Sequence, residues 1–362
     1  MGAGITGCSI AWHLARRGEK SCLVDPGGVA AGASGRNAGF LLAGTSENYA
    51  EACRVHGREL ARQLWRYSNE NHRALAEAGM LDDSVGYRKC GSLLLESCDA
   101  GVAALRESAE LLAEDGFSAG LLGAAEREKE SGSNHFGEAL LSPEDGCVDP
   151  VRLVNRLAAA SGAQRVTGAI ESVEAVEGGV LAQGPVLEIR AKRAFLALNA
   201  WSSQVAPELA QWTRPKRAQM LATDPLPPLW NRVIYADSGY QYLRQLPDGT
   251  CLVGGGRREF ADEEVGLEPH VHAKVHEFLE RYVRERFPAL REMQVTQRWA
   301  GTMAFSPDGV PVIGELSRAP GTWFLGGYTG HGMGFAFRLS RMLVEHVLEG
   351  GGMGPLGAER FS

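Results

Sequence analysis

Apolar side chains recur at intervals of three and four near the start of the chain. They are Ile5, Cys8, Trp12 and Ala15, with Ala11 and Leu14 beside them. This spacing predicts an amphipathic helix, and Gly18 predicts its end. The next apolar run, SCLVD at 21–25, is short and ends in an acid. It predicts a strand.

Both patterns continue along the chain. Asp149 and Pro150 are typical of an N-cap and first turn, and they predict a helix that ends at Gly162. Residues 216–256 alternate and contain an Asp-Gly turn, which predicts an antiparallel sheet. The other expected elements are long helices over 47–78 and 99–115, short strands near 165–168, 170–176, 186–190 and 193–198, strands at VPVIG and TWFLGG (322–327), and a helix after YTGHGMG (328–334).

A glycine-rich loop stands directly before the first predicted helix. Gly2, Gly4 and Gly7 form the pattern G-x-G-x-x-G, and Asp25 follows eighteen residues after the last glycine. In a dinucleotide-binding fold these glycines permit a sharp turn, close approach of a pyrophosphate and close helix packing. The helix start attracts phosphate, and the acid accepts hydrogen bonds from ribose hydroxyls. The segment predicts FAD or NAD rather than NADP.

Two later glycine-rich segments bear on the choice of cofactor. GGVAAGASGRNAGFL (27–41) places a second backbone-rich loop beside the first, which suits a ligand that extends past its pyrophosphate. YTGHGMG lies between a predicted strand and a predicted helix, and a helix start stabilises negative charge such as that on reduced flavin. An NAD-dependent dehydrogenase remains an alternative, but it leaves both later loops unexplained.

Composition excludes several classes of protein. The chain has 37 basic and 44 acidic side chains, and the basic run at 281–292 is interleaved with glutamates, so nucleic-acid binding is not expected. Seven cysteines without a C-x-x-C pair indicate a reduced compartment, hence the cytoplasm, and predict no metal site. No apolar run approaches the roughly 18 residues of a membrane span.

The ordered motifs resemble the family of FAD-dependent amino-acid and amine oxidoreductases that includes D-amino-acid oxidase, glycine oxidase and sarcosine oxidase. The segments are GAGITG, LVD, GASGRNAG, ALNAWSSQVAPEL, KRAQMLATDPL, RWAG, SPDGVPVIG and GGYTGHGM. The resemblance implies an α/β, Rossmann-like FAD-binding domain interleaved with an α+β substrate domain on an antiparallel sheet. The expected boundaries are 1–80, 146–203 and 298–350 for FAD binding, 81–145 and 204–297 for the substrate domain, and 351–362 for a tail.

The resemblance also implies an activity and a set of cofactor-binding residues. The activity is FAD-dependent oxidation of the C–N bond of an amino acid, or of a primary or secondary amine, to an imine that water hydrolyses. The expected cofactor-binding residues are Gly2, Gly4, Ile5, Thr6, Gly7, Asp25, Ala33, Ser34, Arg36, Asn37, Ala38, Gly39, Ala200, Trp201, Gly301, Gly327, Gly330, His331, Gly332 and Met333.

Four residues are candidates for catalysis. His331 is either a base or a loop histidine that packs near the flavin without moving protons. Tyr240 and Tyr242 occupy alternate positions, so both face the ligand or both face away. Arg298 is either a partner of the substrate carboxylate or flavin, or a member of a surface ion pair.

The chain differs at several positions from the family that it resembles. Related oxidases place a carboxylate-binding arginine shortly after the Trp-x-Gly step, where this chain has Met303 or its neighbours. No cysteine lies between Cys251 and the C-terminus, which predicts non-covalent FAD. In related oxidases a lysine assists the reaction with oxygen, and CLVGGGRR has no counterpart of it. The expected electron acceptor is therefore not restricted to oxygen: it is oxygen, or a quinone or other electron carrier.

The position of the first glycine loop raises a question about the sheet. In the resembled family a strand precedes these glycines and lies between the strands expected at 21–25 and 194–198. We therefore expect a gap or a substitute strand there, with weakened FAD binding, and an apolar β segment ahead of residue 1 in the natural protein. The alternative is an N-terminally incomplete member that is non-catalytic or binds flavin weakly.

Overall fold

The computed structural model describes residues 1–361. Its helices are α1 (Ile5–Ala15), α2 (Ala33–Arg36), α3 (Tyr49–His56), α4 (Arg58–Glu77), α5 (Asp99–Glu114), α6 (Ala124–Ser131), α7 (Pro150–Ser161), α8 (Ser202–Val205), α9 (Ala273–Arg286) and α10 (Gly332–Glu349). Its strands are β1 (Cys22–Asp25), β2 (Phe40–Leu41), β3 (Ser92–Leu95), β4 (Gly120–Leu122), β5 (Ala139–Ser142), β6 (Gly146–Cys147), β7 (Gln164–Thr167), β8 (Ser172–Val176), β9 (Gly179–Gln183), β10 (Glu188–Ala191), β11 (Ala194–Leu196), β12 (Arg214–Pro225), β13 (Val233–Ala236), β14 (Gln241–Gln245), β15 (Thr250–Gly255), β16 (Val295–Phe305), β17 (Val312–Glu315) and β18 (Thr322–Gly326).

The helices follow their local signals except at one glycine. The predicted helix at Asp149 is confirmed as α7, since the Asp149 carboxylate accepts hydrogen bonds from the amides of Val151 and Arg152, and Gly162 ends the helix. The single helix expected over 47–78 is wrong. Gly57 has a φ of 81°, a left-handed value that an α-helix cannot contain, and it separates α3 from α4.

The largest sheet has eight strands, which come from residues 92–142 and 214–305, in the order β16-β12-β15-β14-β13-β3-β5-β4. The strands within 216–256 pair antiparallel as predicted, with a turn at Asp248-Gly249. The sheet as a whole is mixed, however, because β13 pairs with β3 in parallel. Helix α9 packs on one face through a fully buried apolar row that includes Val275, Leu279 and Val283.

The long strand β16 crosses the domain boundary that the sequence analysis places at 298. Its pairing with β12 runs from the bridge between Arg214 and Phe305 to that between Thr223 and Val295. The whole strand is therefore part of the eight-stranded sheet.

The other strands form smaller sheets that do not join one another. Strand β1 pairs in parallel with β7, while β11 pairs with β18, and β18 with β17. Strands β8, β9 and β10 form a further antiparallel sheet. The sequence analysis predicts no strand at the position of β9.

A gap separates β1 from β11. Met1 accepts a hydrogen bond from the amide of Ala197, and the amide of Gly2 donates to Val24, so only these two residues bridge the strands at their carboxyl ends. Behind them lies a cavity of about 650 Å³, lined by Leu23 and Phe195 among others. Among residues 1–361 no strand occupies it. An apolar segment ahead of the glycines stays a prediction.

Candidate active site

A cavity of about 490 Å³ lies between the glycine-rich segments and the eight-stranded sheet. The structure brings most of the candidate residues to its wall, although they are up to 331 positions apart in the chain. Those that line it are Gly2, Gly4, Ile5, Thr6, Asp25, Ala33, Ser34, Arg36, Asn37, Ala38, Trp201, Tyr240, Tyr242, Gly330, His331, Gly332 and Met333.

The first glycine loop is shaped by close contacts that exclude side chains. A Cβ atom at Gly2 would lie 2.4 Å from the carbonyl oxygen of Ala197, and one at Gly4 would lie 2.8 Å from Ser34 Oγ. Ser34 Oγ also accepts a hydrogen bond from the amide of Ile5 at the start of α1, so the second glycine segment holds the first. The result is an open backbone cradle at a helix start, which fits a dinucleotide pyrophosphate.

Asp25 ends β1 at the edge of this cradle. Its Oδ2 accepts a hydrogen bond from the amide of Ala3 at 2.9 Å, and its Oδ1 accepts one from Gly27 at 2.8 Å. An ionised carboxylate has about four acceptor positions, so two remain for hydroxyl groups of a ligand in the cavity. Asp25 therefore fits a ribose-binding role and also orders the loop.

Arg36 and Asn37 connect the second glycine segment to the sheet. The Asn37 side chain donates to the carbonyls of Ala33 and Ser34 and accepts from the amide of Gly39, so it braces α2. The Arg36 guanidinium donates to the carbonyl of Ala300 at 3.1 Å. Both side chains line the cavity while they hold its wall in place.

The wall formed by the sheet is aromatic. Tyr240 and Tyr242 both line the cavity, and so does Tyr235. Tyr235 and Tyr242 are register partners on β13 and β14, with ring centroids 6.2 Å apart. Burial raises the pKa of Tyr242 to about 12, so this phenol stays protonated at neutral pH.

His331 joins the third glycine segment to the aromatic wall. Its Nε2 is 3.1 Å from the hydroxyl oxygen of Tyr235, within hydrogen-bonding distance. Burial lowers the pKa of His331 to about 4, so its imidazole is neutral at pH 7. A general base works best when its pKa is near the working pH. His331 is therefore better suited to orienting a ligand than to taking a proton.

The structure places Arg298 away from the cavity. Its side chain is exposed and forms an ion pair with Glu280 of α9. Of the two alternatives for Arg298, a contact with the ligand or a surface ion pair, the structure shows the ion pair. Its position on β16 directs it to the α9 side of the sheet, since successive strand side chains point to opposite faces.

Five expected cofactor residues lie behind the cavity wall and act through packing. A Cβ atom at Gly7 would lie 1.9 Å from the carbonyl oxygen of Gly2, and one at Gly39 would lie 2.0 Å from that of Val148. Ala200 is 1% exposed, within the turn at Asn199–Trp201. The other two are Gly301, which faces the stem of Arg36, and Gly327, which packs against Val312 and Ser306.

Sequence reasoning missed several lining residues. Tyr235 had an available signal, because a hairpin places it opposite Tyr242. Arg257 also lines the cavity and follows three consecutive glycines, two at the end of β15 and one directly after it. Tyr328 donates or accepts a hydrogen bond with Thr6 at 2.9 Å, a contact between the first and third glycine segments that no local pattern reveals. Phe40 and Leu42 complete the apolar part of the wall.

Two further features of residues 1–361 bear on the chemistry. No group of three or more His, Cys, Asp or Glu side chains is placed to hold a metal ion within this range. No helix in the same part of the chain has both the length and the apolarity to cross a membrane.

Comparison with known proteins extends these observations. Residues 1–346 match the family model DAO, described as FAD dependent oxidoreductase. The chain is 27% identical over 371 residues to the probable oxidoreductase OrdL of Rhizobium meliloti (96% of this chain, 82% of that protein). It is 27% identical over 386 residues to gamma-glutamylputrescine oxidoreductase of Escherichia coli (100% of this chain, 84% of that protein).

The fold has clear counterparts among solved structures. Glycine oxidase from Geobacillus kaustophilus superposes with a TM-score of 0.82 at 19% identity, covering 100% of this chain and 96% of that one. Iminodiacetate oxidase from Chelativorans sp. BNC1 gives 0.80 at 22% identity, covering 100% and 97%. Because the family model spans nearly the whole chain and the cavity presents a dinucleotide cradle, the protein belongs to the DAO family of FAD-dependent oxidoreductases.

Proposed function

We propose that this protein oxidises the C–N bond of a primary or secondary amine, or of an amino acid, to an imine that water hydrolyses. One observation carries the proposal: a single cavity joins the dinucleotide cradle at Gly2 and Gly4 to the wall of Tyr235, Tyr240 and Tyr242. A substrate in this cavity would lie beside a bound flavin. The printed activities of relatives, such as gamma-glutamylputrescine oxidoreductase, support the same class of reaction.

The residues present fit FAD. The loop from Gly2 to Gly7, with Asp25, Ser34 and Arg36, would hold its ADP half and pyrophosphate. Gly330 and the start of α10 would face the end where negative charge develops, since a helix start stabilises such charge. When bound, FAD supplies the two-electron acceptor for the oxidation.

The protein's own contribution is to bind, orient and dehydrate the substrate. The oxidised amine must be neutral, and a partly buried aromatic cavity favours the neutral form because burial disfavours charge. His331 cannot take the ammonium proton efficiently, given the lowered pKa of its imidazole, so this proton leaves to water as the substrate binds. The Tyr235–His331 contact then holds the wall against the substrate. Reoxidation is by oxygen or by a quinone or other electron carrier.

Replacement of Asp25 by alanine is expected to weaken FAD binding by about 1–3 kcal/mol, the usual cost of leaving buried hydrogen-bonding groups unpaired. FAD affinity is measured by fluorescence titration of the apoprotein. Asp25→Asn, which keeps one oxygen acceptor, should fall between the alanine variant and the wild type. An unchanged affinity in Asp25→Ala would show that Asp25 does not contribute to FAD binding.

Acid precipitation of the wild-type protein tests whether FAD is covalently attached. Non-covalent FAD should leave the yellow colour in the supernatant, and a yellow pellet would contradict non-covalent binding.

The proposed function is tested by anaerobic reduction with a panel of amines. We expect the flavin absorption to bleach, and N-substituted or longer amines to act faster than glycine or D-alanine. The reason is that Met303, which lines the cavity, cannot form the bidentate contact that an arginine makes with an α-carboxylate. If D-alanine is the fastest of a broad panel, the inference from Met303 is wrong. A panel without any bleaching would instead favour a non-catalytic flavin-binding member.

A further inference from the structure

The side chain of Arg257 has an unusual setting within the cavity. It follows β15, lines the cavity and is half-buried. Its guanidinium carbon lies 4.3 Å from the ring centroid of Phe305 and 5.6 Å from that of Tyr240. Such cation–π contacts hold the planar group from its faces and leave its N–H edge available.

Arg257 differs in its contacts from the other charged residues of the cavity wall. Asp25 accepts two backbone hydrogen bonds, and Arg36 donates to the carbonyl of Ala300. Among residues 1–361, Arg257 has neither an ion pair nor a hydrogen bond. A half-buried guanidinium has lost part of its hydration, and its five donors gain most from a carboxylate, which they can bind bidentately.

Among residues 1–361, no carboxylate forms an ion pair with Arg257; the half-buried Glu47 acts on the same aromatic wall but does not line the cavity. The neighbouring phenols Tyr235 and Tyr242 are neutral because burial raises the pKa of each, and His331 is also neutral. Burial is the main cause of the lowered pKa of His331; the charge of Glu47 opposes this shift, and the charge of Arg257 adds to it. Arg257 is therefore a cation of the cavity wall without an ion-pair partner among residues 1–361, next to the place where a substrate would bind.

We propose that Arg257 binds a carboxylate of the substrate, which is therefore an amine that also carries a carboxylate. The inference rests on the proposed function for the position of the reacting amine. The anion-binding group is then Arg257, just after β15, and not a residue of β16, where this chain has Met303. The position of Arg257 then sets the distance between the amine and the carboxylate of the substrate, so the substrate need not be an α-amino acid.

The test uses the FAD-loaded protein and three variants. Arg257→Met removes the charge but keeps an unbranched side chain, and Arg257→Lys keeps the charge without the planar fork. The matched control is Arg258→Met: Arg258 also lies over the Tyr240 ring, at 5.4 Å, but it is exposed and does not line the cavity. FAD affinity is measured for each variant.

The first readout does not require turnover. Benzoate is titrated as a carboxylate probe, and the perturbation of the flavin spectrum reports its Kd. We expect Arg257→Met to raise this Kd at least tenfold, Arg257→Lys to raise it less, and Arg258→Met to change it less than twofold. Equal benzoate affinity in Arg257→Met, or an equal loss in Arg258→Met, would overturn the proposal.

The second readout compares matched amines under anaerobic reduction. A series of ω-(methylamino)alkanoates is set against N-methylalkylamines of the same length. Arg257→Met should lose at least tenfold in the reduction rate constant per molar substrate for the carboxylates, with little change for the neutral-tail amines. Equal losses for both series, or a loss of FAD affinity that accounts for them, would refute a carboxylate-binding role. If no amine reduces the flavin while benzoate binding still depends on Arg257, the proposed function fails and the anion site stands.

Discussion

Replacement of Gly7 by alanine is expected to abolish measurable FAD binding and to lower the free energy of unfolding by about 3 kcal/mol, the upper end of the usual cost of overpacking. The new Cβ atom would lie 1.9 Å from the carbonyl oxygen of Gly2 and 3.0 Å from its carbonyl carbon. Both atoms belong to the backbone of the cradle, so no side chain can rotate away. The loop must separate from α1, which destroys the backbone geometry that receives the pyrophosphate.

The matched control for this substitution is Gly120→Ala. A Cβ atom at Gly120 meets no atom within 4 Å, and the residue does not have a left-handed φ. Urea unfolding and FAD titration of both variants separate a local clash from a general effect of losing a glycine. A Gly7→Ala protein that binds FAD with wild-type affinity would show that the cradle tolerates displacement, and the packing role of Gly7 would be wrong.

Replacement of Leu339 by alanine is expected to lower the free energy of unfolding by about 2–5 kcal/mol, as large-to-small changes in a core do. Leu339 is 0% exposed and lies in a buried cluster with Phe335 and Leu343 of α10 and with Ile10 and Leu14 of α1. Its truncation leaves a cavity between these two helices. Because both helices begin at the cofactor cavity, a weaker contact between them should also weaken FAD binding.

Leu121→Ala provides the control, since Leu121 is 37% exposed and leaves no enclosed cavity. We expect it to change stability by less than about 1 kcal/mol, as is usual for substitutions at the surface. Thermal unfolding with and without added FAD measures both effects. A Leu339→Ala protein as stable as Leu121→Ala would contradict the assignment of the α1–α10 contact as a main part of the core.

Local signals account for the elements that were predicted correctly. Helix α7 has an aspartate cap, a proline in its first turn and a terminal glycine, all of which act within a few residues. The same reasoning failed at Gly57, where one residue with a positive φ divides the predicted helix into α3 and α4. The parallel pairing of β3 with β13 could not be predicted, because these strands are far apart in sequence and carry no mark of their partner.

The sequence by itself determined the family and the cofactor cradle, because Gly2, Gly4 and Asp25 act through backbone geometry within one short segment. Only the tertiary structure distinguished Arg257 from Arg298. Arg298 lies within β16, and Arg257 follows β15 of the same sheet. Packing directs Arg298 to Glu280 and leaves Arg257 in the cavity without an ion pair or hydrogen bond among residues 1–361. Side-chain direction and the identity of neighbours depend on which elements pack together, and that information is spread over the whole chain.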